Sequence, residues 1–463
     1  MLIPIVMFAV VTVGSMAVVA IMLRRRDWSV LDPTVVFWLG YAVYYGIANL
    51  WFCWEVHRDG RYDRVGVVFD PRISGELDSL TMVAGLTVVY GCSVALGMFA
   101  LSPCLMRVGV GALVRNVAAG ADISMGILMP LCLVHWMTQF GLAARLGVQL
   151  PSAVLQVPLV CCLALNVKLA YQATQHPVGR RGTIALGVLG ISMLGGALGG
   201  MKQDLLLPAL AAFAGLMLGV RRPWPIVLSL VAALPGFLFV KAWNDLNRSV
   251  LWDQTAKLST LDRVVALGGT AREVIRVDEP MSLMDAMGRL STAGPMLQTL
   301  ELVWRNDGIS IYDGFLIPHV PRALWPGKPS VVIGNTLHVK FTGQETDAAG
   351  SSSSPGQPAG AFMYGGWVGV GAIGCALGVL GATAGTLVQH LWRARKAASL
   401  GTLVLVAMNF AKCENWFWTY LPSLLNGIVI LVGLRLITLW LSRRSRPTMR
   451  RNTSISLAVP THA

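Results

Sequence analysis

Apolar runs about twenty residues long, separated by short polar stretches, repeat along most of this chain. A helix that crosses a bilayer needs about 20 apolar residues. Runs of that kind lie at Leu2–Leu23, Val35–Trp54, Leu80–Leu101, Ile123–Leu142, Ser152–Tyr171, Thr183–Met201, Leu205–Val220, Trp224–Trp243, Ala361–Val388, Ser399–Trp418 and Leu421–Leu441. The pattern predicts an all-α polytopic membrane protein with about 11 transmembrane helices. The pair Thr183–Met201 and Leu205–Val220 also fits a re-entrant hairpin, which would change the count but not the parity. The remaining polar sequence is concentrated in one long stretch. This predicts an N-terminal transmembrane bundle over 1–243, a large loop over 244–360, C-terminal transmembrane helices over 361–441 and a basic tail over 442–463.

The loop has its own pattern. Thr260–Val277 and Met281–Ala293 space their apolar residues as amphipathic helices do, with Leu283, Met287 and Leu290 on one face. Such helices can lie along a membrane surface. Gly350–Pro358 is rich in serine and glycine, as a flexible linker is.

Charge fixes the direction of the spans. The first run is followed by Arg24, Arg25 and Arg26. Every second connection after it is basic: Arg107 and Arg115, Arg180 and Arg181, Arg221 and Arg222, Arg393, Arg395 and Lys396, then the tail from Arg443. The loop after the second run has four arginines against six acids, and the long loop has ten basic against twelve acidic residues. The positive-inside rule then places the N-terminus outside and the C-terminus in the cytoplasm. Trp51, Phe52 and Trp54, and Trp416, Phe417, Trp418 and Tyr420, sit where interfacial aromatic belts are expected. The composition agrees: mean hydropathy is +0.62 and only 13% of the 463 residues are charged. The net charge of +14 is spread as membrane topology requires, so nucleic acid is not expected as a partner. The eight cysteines all lie in or beside apolar runs and form no CxxC pair, which argues against a disulfide framework or a zinc site.

Candidate chemistry gathers at the outer side. Four prolines stiffen Ile317–Pro329, which carries Arg322, Trp325 and Lys328. Lys202 and Asp204 interrupt two apolar runs after the small-residue stretch Gly195–Gly200, which would allow close helix approach. Lys412 and Glu414 lie near the outer end of the tenth run. His135, mid-helix, reads as a packing residue. Arg272, Arg276, Arg289 and Arg305 are further loop cations. Asp278, Glu279, Asp307, Asp313, His319 and His338 are further candidate bases. No phosphate-binding glycine loop, HExxH or strict DxD pair is present, so nucleotide-sugar and metal-dependent chemistry find little support.

The segment Met287-Gly288-Arg289-Leu290 followed by Pro321-Arg322-Ala323-Leu324-Trp325-Pro326-Gly327-Lys328-Pro329 is similar to the "RL … PRxxWPxKP" pattern of the Wzy-type polymerases of O-antigen and exopolysaccharide repeat units. Phe362-Met363-Tyr364-Gly365-Gly366-Trp367-Val368-Gly369 resembles that family's aromatic-glycine stretch after the loop. Gly200–Leu206 resembles its "G-x-R-x-x-L-L" stretch, with Lys202 in place of Arg. The resemblance covers about Gly195 to Gly369.

The resemblance implies a GT-C-like fold in a bacterial inner membrane, with the loop periplasmic. It implies metal-independent glycosyl transfer without a cofactor, on oligosaccharides linked to undecaprenyl pyrophosphate, alongside a chain-length regulator protein. Arg289 and Arg322 are the expected charge stabilisers, with Lys202, Lys328 and Trp325 on the substrate. The base is expected among Asp313, His338 and Glu414. An O-antigen ligase and a lipid-linked oligosaccharide flippase are the competing readings.

Overall fold

The computed structural model describes residues 1–24, 31–64, 67–142, 152–175, 179–198, 202–220, 260–276, 290–307, 340, 354–412 and 417–444. The chain is a helical membrane protein. Among the described residues, seven helices are long and apolar enough to span a bilayer, and three shorter apolar helices, over 125–139, 205–220 and 397–411, accompany them.

Helix α1 (Leu2–Leu23) leads to α2 (Pro33–Tyr41). Asp32 starts α2: its Oδ1 accepts from the Thr34 amide at 3.0 Å, and Pro33 supplies a first helical residue that needs no amide partner. A π-helical segment at Ala42–Ile47 carries α2 into α3 (Ala48–Asp59). Gly60, at φ 74°, ends α3. Two short antiparallel strands follow, β1 (Tyr62–Arg64) and β2 (Val67–Phe69), with Tyr62 opposite Phe69. The hydropathy pattern gave no sign of this hairpin. Phe52 packs on it, with ring centroids 4.5 Å from Tyr62 and 5.6 Å from Phe69, and is buried. Phe52 is therefore a core residue and not part of an interfacial belt, whereas Trp54 is 42% exposed.

The third apolar run extends well past its expected end. Helix α4 (Ser74–Leu96) passes through a π segment at Gly97–Leu101, α5 (Ser102–Leu105) and a second π segment at Met106–Val110 into α6 (Gly111–Ala119). Arg107 and Arg115, expected in a connecting loop, are thus helical. Gly109, at φ 130°, breaks the helical path before α6. Then come α7 (Met125–Gln139), α8 (Ser152–Gln175), α9 (Arg180–Leu198) and α10 (Lys202–Val220). Helices α9 and α10 are both full-length and pack beside α8. Ser192 of α9 lies at Cys162 and Asn166 of α8, and Gly219 of α10 lies at Thr174 near the end of α8. The two helices pack side by side against α8.

Thr260–Arg276 forms α11, matching the amphipathic helix expected there. Ala293–Trp304 forms α12, beginning just before Pro295. The long helix α13 (Gln357–Arg393) starts four residues before its apolar run and breaks at Gly365 and Gly366. The tenth run is divided into α14 (Ala397–Gly401) and α15 (Val404–Ala411), and α16 (Phe417–Arg444) closes the bundle.

Glycines bring α4 and its continuation close to α13. A Cβ on Gly97 would lie 2.1 Å from the Cys375 carbonyl oxygen, and one on Gly378 would lie 2.1 Å from that of Val94. The α4–α13 pair therefore approaches backbone to backbone. Inside the bundle an aromatic column runs along α2, with Phe37, Trp38, Tyr41 and Tyr45 in successive ring contact and Tyr90 of α4 beside Tyr41.

The bundle has two distinct ends. One, the basic face, carries Arg24, α6, the end of α13 and the Lys396 turn. Lys396 bonds to the end of α6, and Gln389 of α13 bonds to Asp32. The other, the loop face, carries the hairpin, α12 and the start of α13, joined to α2 and α3 by Tyr45 and Asn49. Among the described residues, Arg24, Arg107, Arg115, Arg393 and Lys396 lie at the first of these ends.

Candidate functional site

The loop-face node is built around Asn49, which is fully buried. Its Oδ1 accepts from the Ser291 hydroxyl at 3.0 Å and from the amides of Thr292 and Ala293, both at 3.1 Å. Its Nδ2 donates to the Tyr45 carbonyl and to the Thr292 hydroxyl, both at 3.3 Å. A helix has unsatisfied amides at its N-terminus, and an oxygen from a neighbouring helix satisfies those of α12 here. One turn earlier, the Tyr45 hydroxyl accepts from the Gln357 amide at 2.7 Å and so fixes the start of α13. Asn49 and Tyr45 lie four residues apart, on one helix face. A single stretch of α2–α3 thus holds both α12, within the long loop, and the start of α13 at the loop's end. Farther out, Arg58 stacks over Trp54 at 4.8 Å and pairs with Asp59.

The expected site residues stand in the following relation to this node. Arg289, Asp313, Arg322, Trp325, Lys328, His338 and Glu414 lie outside the described residues, as do Asp278, Glu279 and His319. Lys202 opens α10; its side chain, like that of Asp204, is outside the description. Asp307 and Lys340 bond to each other through the Lys340 ammonium, which also donates to the Asp307 carbonyl at 2.8 Å. The two ends of the 308–339 segment therefore meet. Arg305 pairs with Glu301, so neither Arg305 nor Asp307 is an uncommitted charge of the kind the sequence reading had in view. Arg272 is exposed on α11, and His135 is buried in the bundle.

Sequence reasoning missed Asn49, Ser291 and Thr292. A signal was present: one amide side chain in the middle of a strongly apolar run is expensive unless bonded. Glycines 365 and 366 were noticed as a motif, and their geometry is now clear. Gly365 is extended at φ −168°, and Gly366 has φ 55° and ψ −146°, a region essentially restricted to glycine. The aromatic-glycine stretch is a helix break at the loop-face end of α13, with Trp367 49% exposed beside it.

A second polar cluster occupies the basic face. The Asp122 carboxylate accepts from the Ser399 amide and hydroxyl, both at 2.9 Å, and lies 3.5 Å from the Lys168 ammonium. Lys396 donates to the carbonyls of Ala118, Ala119 and Gly120 at 2.5, 2.8 and 2.5 Å, where the C-terminal dipole of α6 favours a cation. Burial, then the nearby Arg435, pushes the Lys396 pKa down, while Asp122 opposes them. Arg435 is buried; it donates to Ser399 Oγ at 3.3 Å and to the Val117 carbonyl. These are helix-end clamps joining α6, α8, α14 and α16. Among the described residues, no group of three or more metal-ligating side chains is gathered.

Fold and site together define a multi-helix membrane protein whose long polar loop is anchored at one end of the bundle and whose other end is basic. Compared with known proteins, the chain matches no family model, no curated protein and no solved structure.

Proposed function

We propose that the chain polymerises oligosaccharide repeat units carried on undecaprenyl pyrophosphate, acting as a metal-independent glycosyltransferase at the outer face of a bacterial inner membrane. The observation that carries this reading is the motif-bearing loop itself, together with the way its ends are held. In sequence, Arg289 lies four residues before Ala293, the start of α12. The segment with Arg322, Trp325 and Lys328 lies between Asp307 and Lys340, which are bonded to each other. Lys202 opens α10 at the end opposite Thr174 and the basic face. In this reading the three cation-bearing stretches gather at one end of the bundle.

The chemistry asks for cations there. The acceptor hydroxyl attacks the anomeric carbon of the lipid-linked chain, the bond to the diphosphate breaks, and the lipid diphosphate leaves with the electron pair. A base among Asp313, His338 and Glu414 takes the hydroxyl proton. Arginines offer a leaving diphosphate fixed positive charge and paired donors. In this reading Arg289 and Arg322 supply them, with Lys202 and Lys328 on the substrate.

Eleven crossings complete the proposal. Helix α10 ends at the basic face. Leu267 of α11 packs with Ala197, Leu198 and Leu205 at the opposite end. The apolar run Trp224–Trp243, long enough to span, is assigned the eighth crossing in this reading.

The test is incubation of purified protein with lipid-linked repeat units and a chelator, followed by sizing of the products. A ladder on the polyprenyl carrier, absent in Arg289→Ala and Arg322→Ala proteins that remain folded, is the expected result. Unchanged extension by both variants refutes the assigned roles. Transfer of finished chains to lipid A core without a ladder would identify a ligase instead.

A further inference from the structure

The basic face carries a surface that the proposed chemistry does not use. Residues 102–119 leave the bundle through a π segment and turn at Gly109 into α6. On α6, Gly111, Val114 and Ala118 are buried, while Leu113 is 64% and, just before the helix, Val108 is 85% exposed. Arg107 and Arg115 are exposed between these apolar residues. Alternating exposed apolar and cationic side chains on a short helix at the end of a bundle suit the headgroup boundary of a bilayer.

Charge converges where α6 meets α13. Arg115 and Arg393 both lie within electrostatic reach of His390. No acidic residue is described on this patch; of the basic-face carboxylates, Asp122 is engaged by Ser399 and Lys168 and Asp32 by Thr34 and Gln389.

Arg395 adds an independent observation. It terminates α13 with φ 51°, donating its amide to the Trp392 carbonyl at 3.1 Å, while the Lys396 amide reaches back to Leu391 at 3.0 Å. This left-handed position is usually filled by glycine, which adopts it without strain. An exposed arginine there costs backbone strain and places another cation on the same surface.

We infer that Arg107, Arg115, Arg393 and Arg395, with the apolar side chains of Val108 and Leu113 inserted beside them, bind the phosphate headgroups of anionic phospholipids. Arginine suits phosphate through its paired donors. Juxtamembrane cation clusters gain affinity from an anionic leaflet. The site is independent of the polymerase reading, since it lies at the opposite end of the bundle from the loop.

The experiment uses the full chain in nanodiscs of phosphatidylcholine alone or mixed with phosphatidylglycerol, read by thermal unfolding and by lipids retained in native mass spectrometry. Phosphatidylglycerol should raise the unfolding midpoint and be retained over phosphatidylcholine. The Arg115→Gln/Arg393→Gln double variant should lose most of that increment. Arg305→Gln, on the loop face, should keep it. Arg395→Gly should shrink the increment while raising the midpoint in phosphatidylcholine alone, which a purely structural arginine would not do. An equal increment in the parent and the double variant overturns the proposal. So does reproduction of the whole effect by inorganic phosphate in phosphatidylcholine discs, which would mark a free-anion site.

Discussion

Removing the carboxamide of Asn49 tests whether α12, and with it the approach to Arg289, is held by a buried cap from another helix. In Asn49→Ala the amide of Thr292 loses its acceptor in a place water does not reach, since Thr292 is 4% and Ala293 0% exposed. The Ala293 amide retains a 3.3 Å bond to the Ser291 hydroxyl and is only partly orphaned. One buried unsatisfied amide costs about 1–3 kcal/mol, and a weakened second bond adds a fraction of that. With the void left by the side chain, the loss should be about 2–4 kcal/mol. Ser291→Ala removes one hydroxyl donor, leaves the amides bonded to Asn49, and should cost about 1 kcal/mol. Asn49→Asp keeps an oxygen facing the positive end of α12 and should fall between the two. Unfolding in mixed detergent–SDS micelles gives the free energies, and limited proteolysis reports whether the chain before α12 becomes more accessible. The reasoning fails if Asn49→Ala unfolds like the parent, or if Ser291→Ala proves the more damaging change.

Other positions give sharper single contrasts. Gly366→Ala should destabilise by about 1–3 kcal/mol through backbone strain alone, because a Cβ there would meet nothing within 4 Å. Gly365→Ala, equally uncrowded but extended, should be near neutral by the same unfolding assay. Lys396→Met should leave the carbonyls of Ala118, Ala119 and Gly120 without their ammonium donor and loosen the join between α6 and α14, read as faster hydrogen exchange in α6. The Asp70 carboxylate accepts from the Arg72 amide at 2.9 Å and its guanidinium at 3.0 Å, which together hold its pKa below the ordinary value. Its contribution is therefore complete above about pH 4 and is lost as pH falls through the lower folded value. Asp70→Asn should remove that part of the acid sensitivity in a pH series of unfolding midpoints.

What the sequence discloses here follows the period of its pattern. Runs near twenty apolar residues reveal spans because lipid demands them, and basic connections reveal direction because topology does. Among the described residues seven such helices are present. Lipid cannot say which polar atom meets which. Asn49 and Ser291 are separated by 242 positions, and no local spacing links them. The same holds for Asp122 and Ser399, 277 residues apart. Helix ends beyond the hydrocarbon were also hidden, because α4–α6 continues on polar and glycine residues that hydropathy treats as loop. The Phe362–Gly369 stretch shows the opposite case. Two adjacent glycines beside aromatics were legible as a special feature, and the positive φ of Gly366 gives the physical reason. A bundle assembled from long-range caps can thus hold a polar loop through residues, Tyr45 and Asn49, that sit in an ordinary-looking apolar helix.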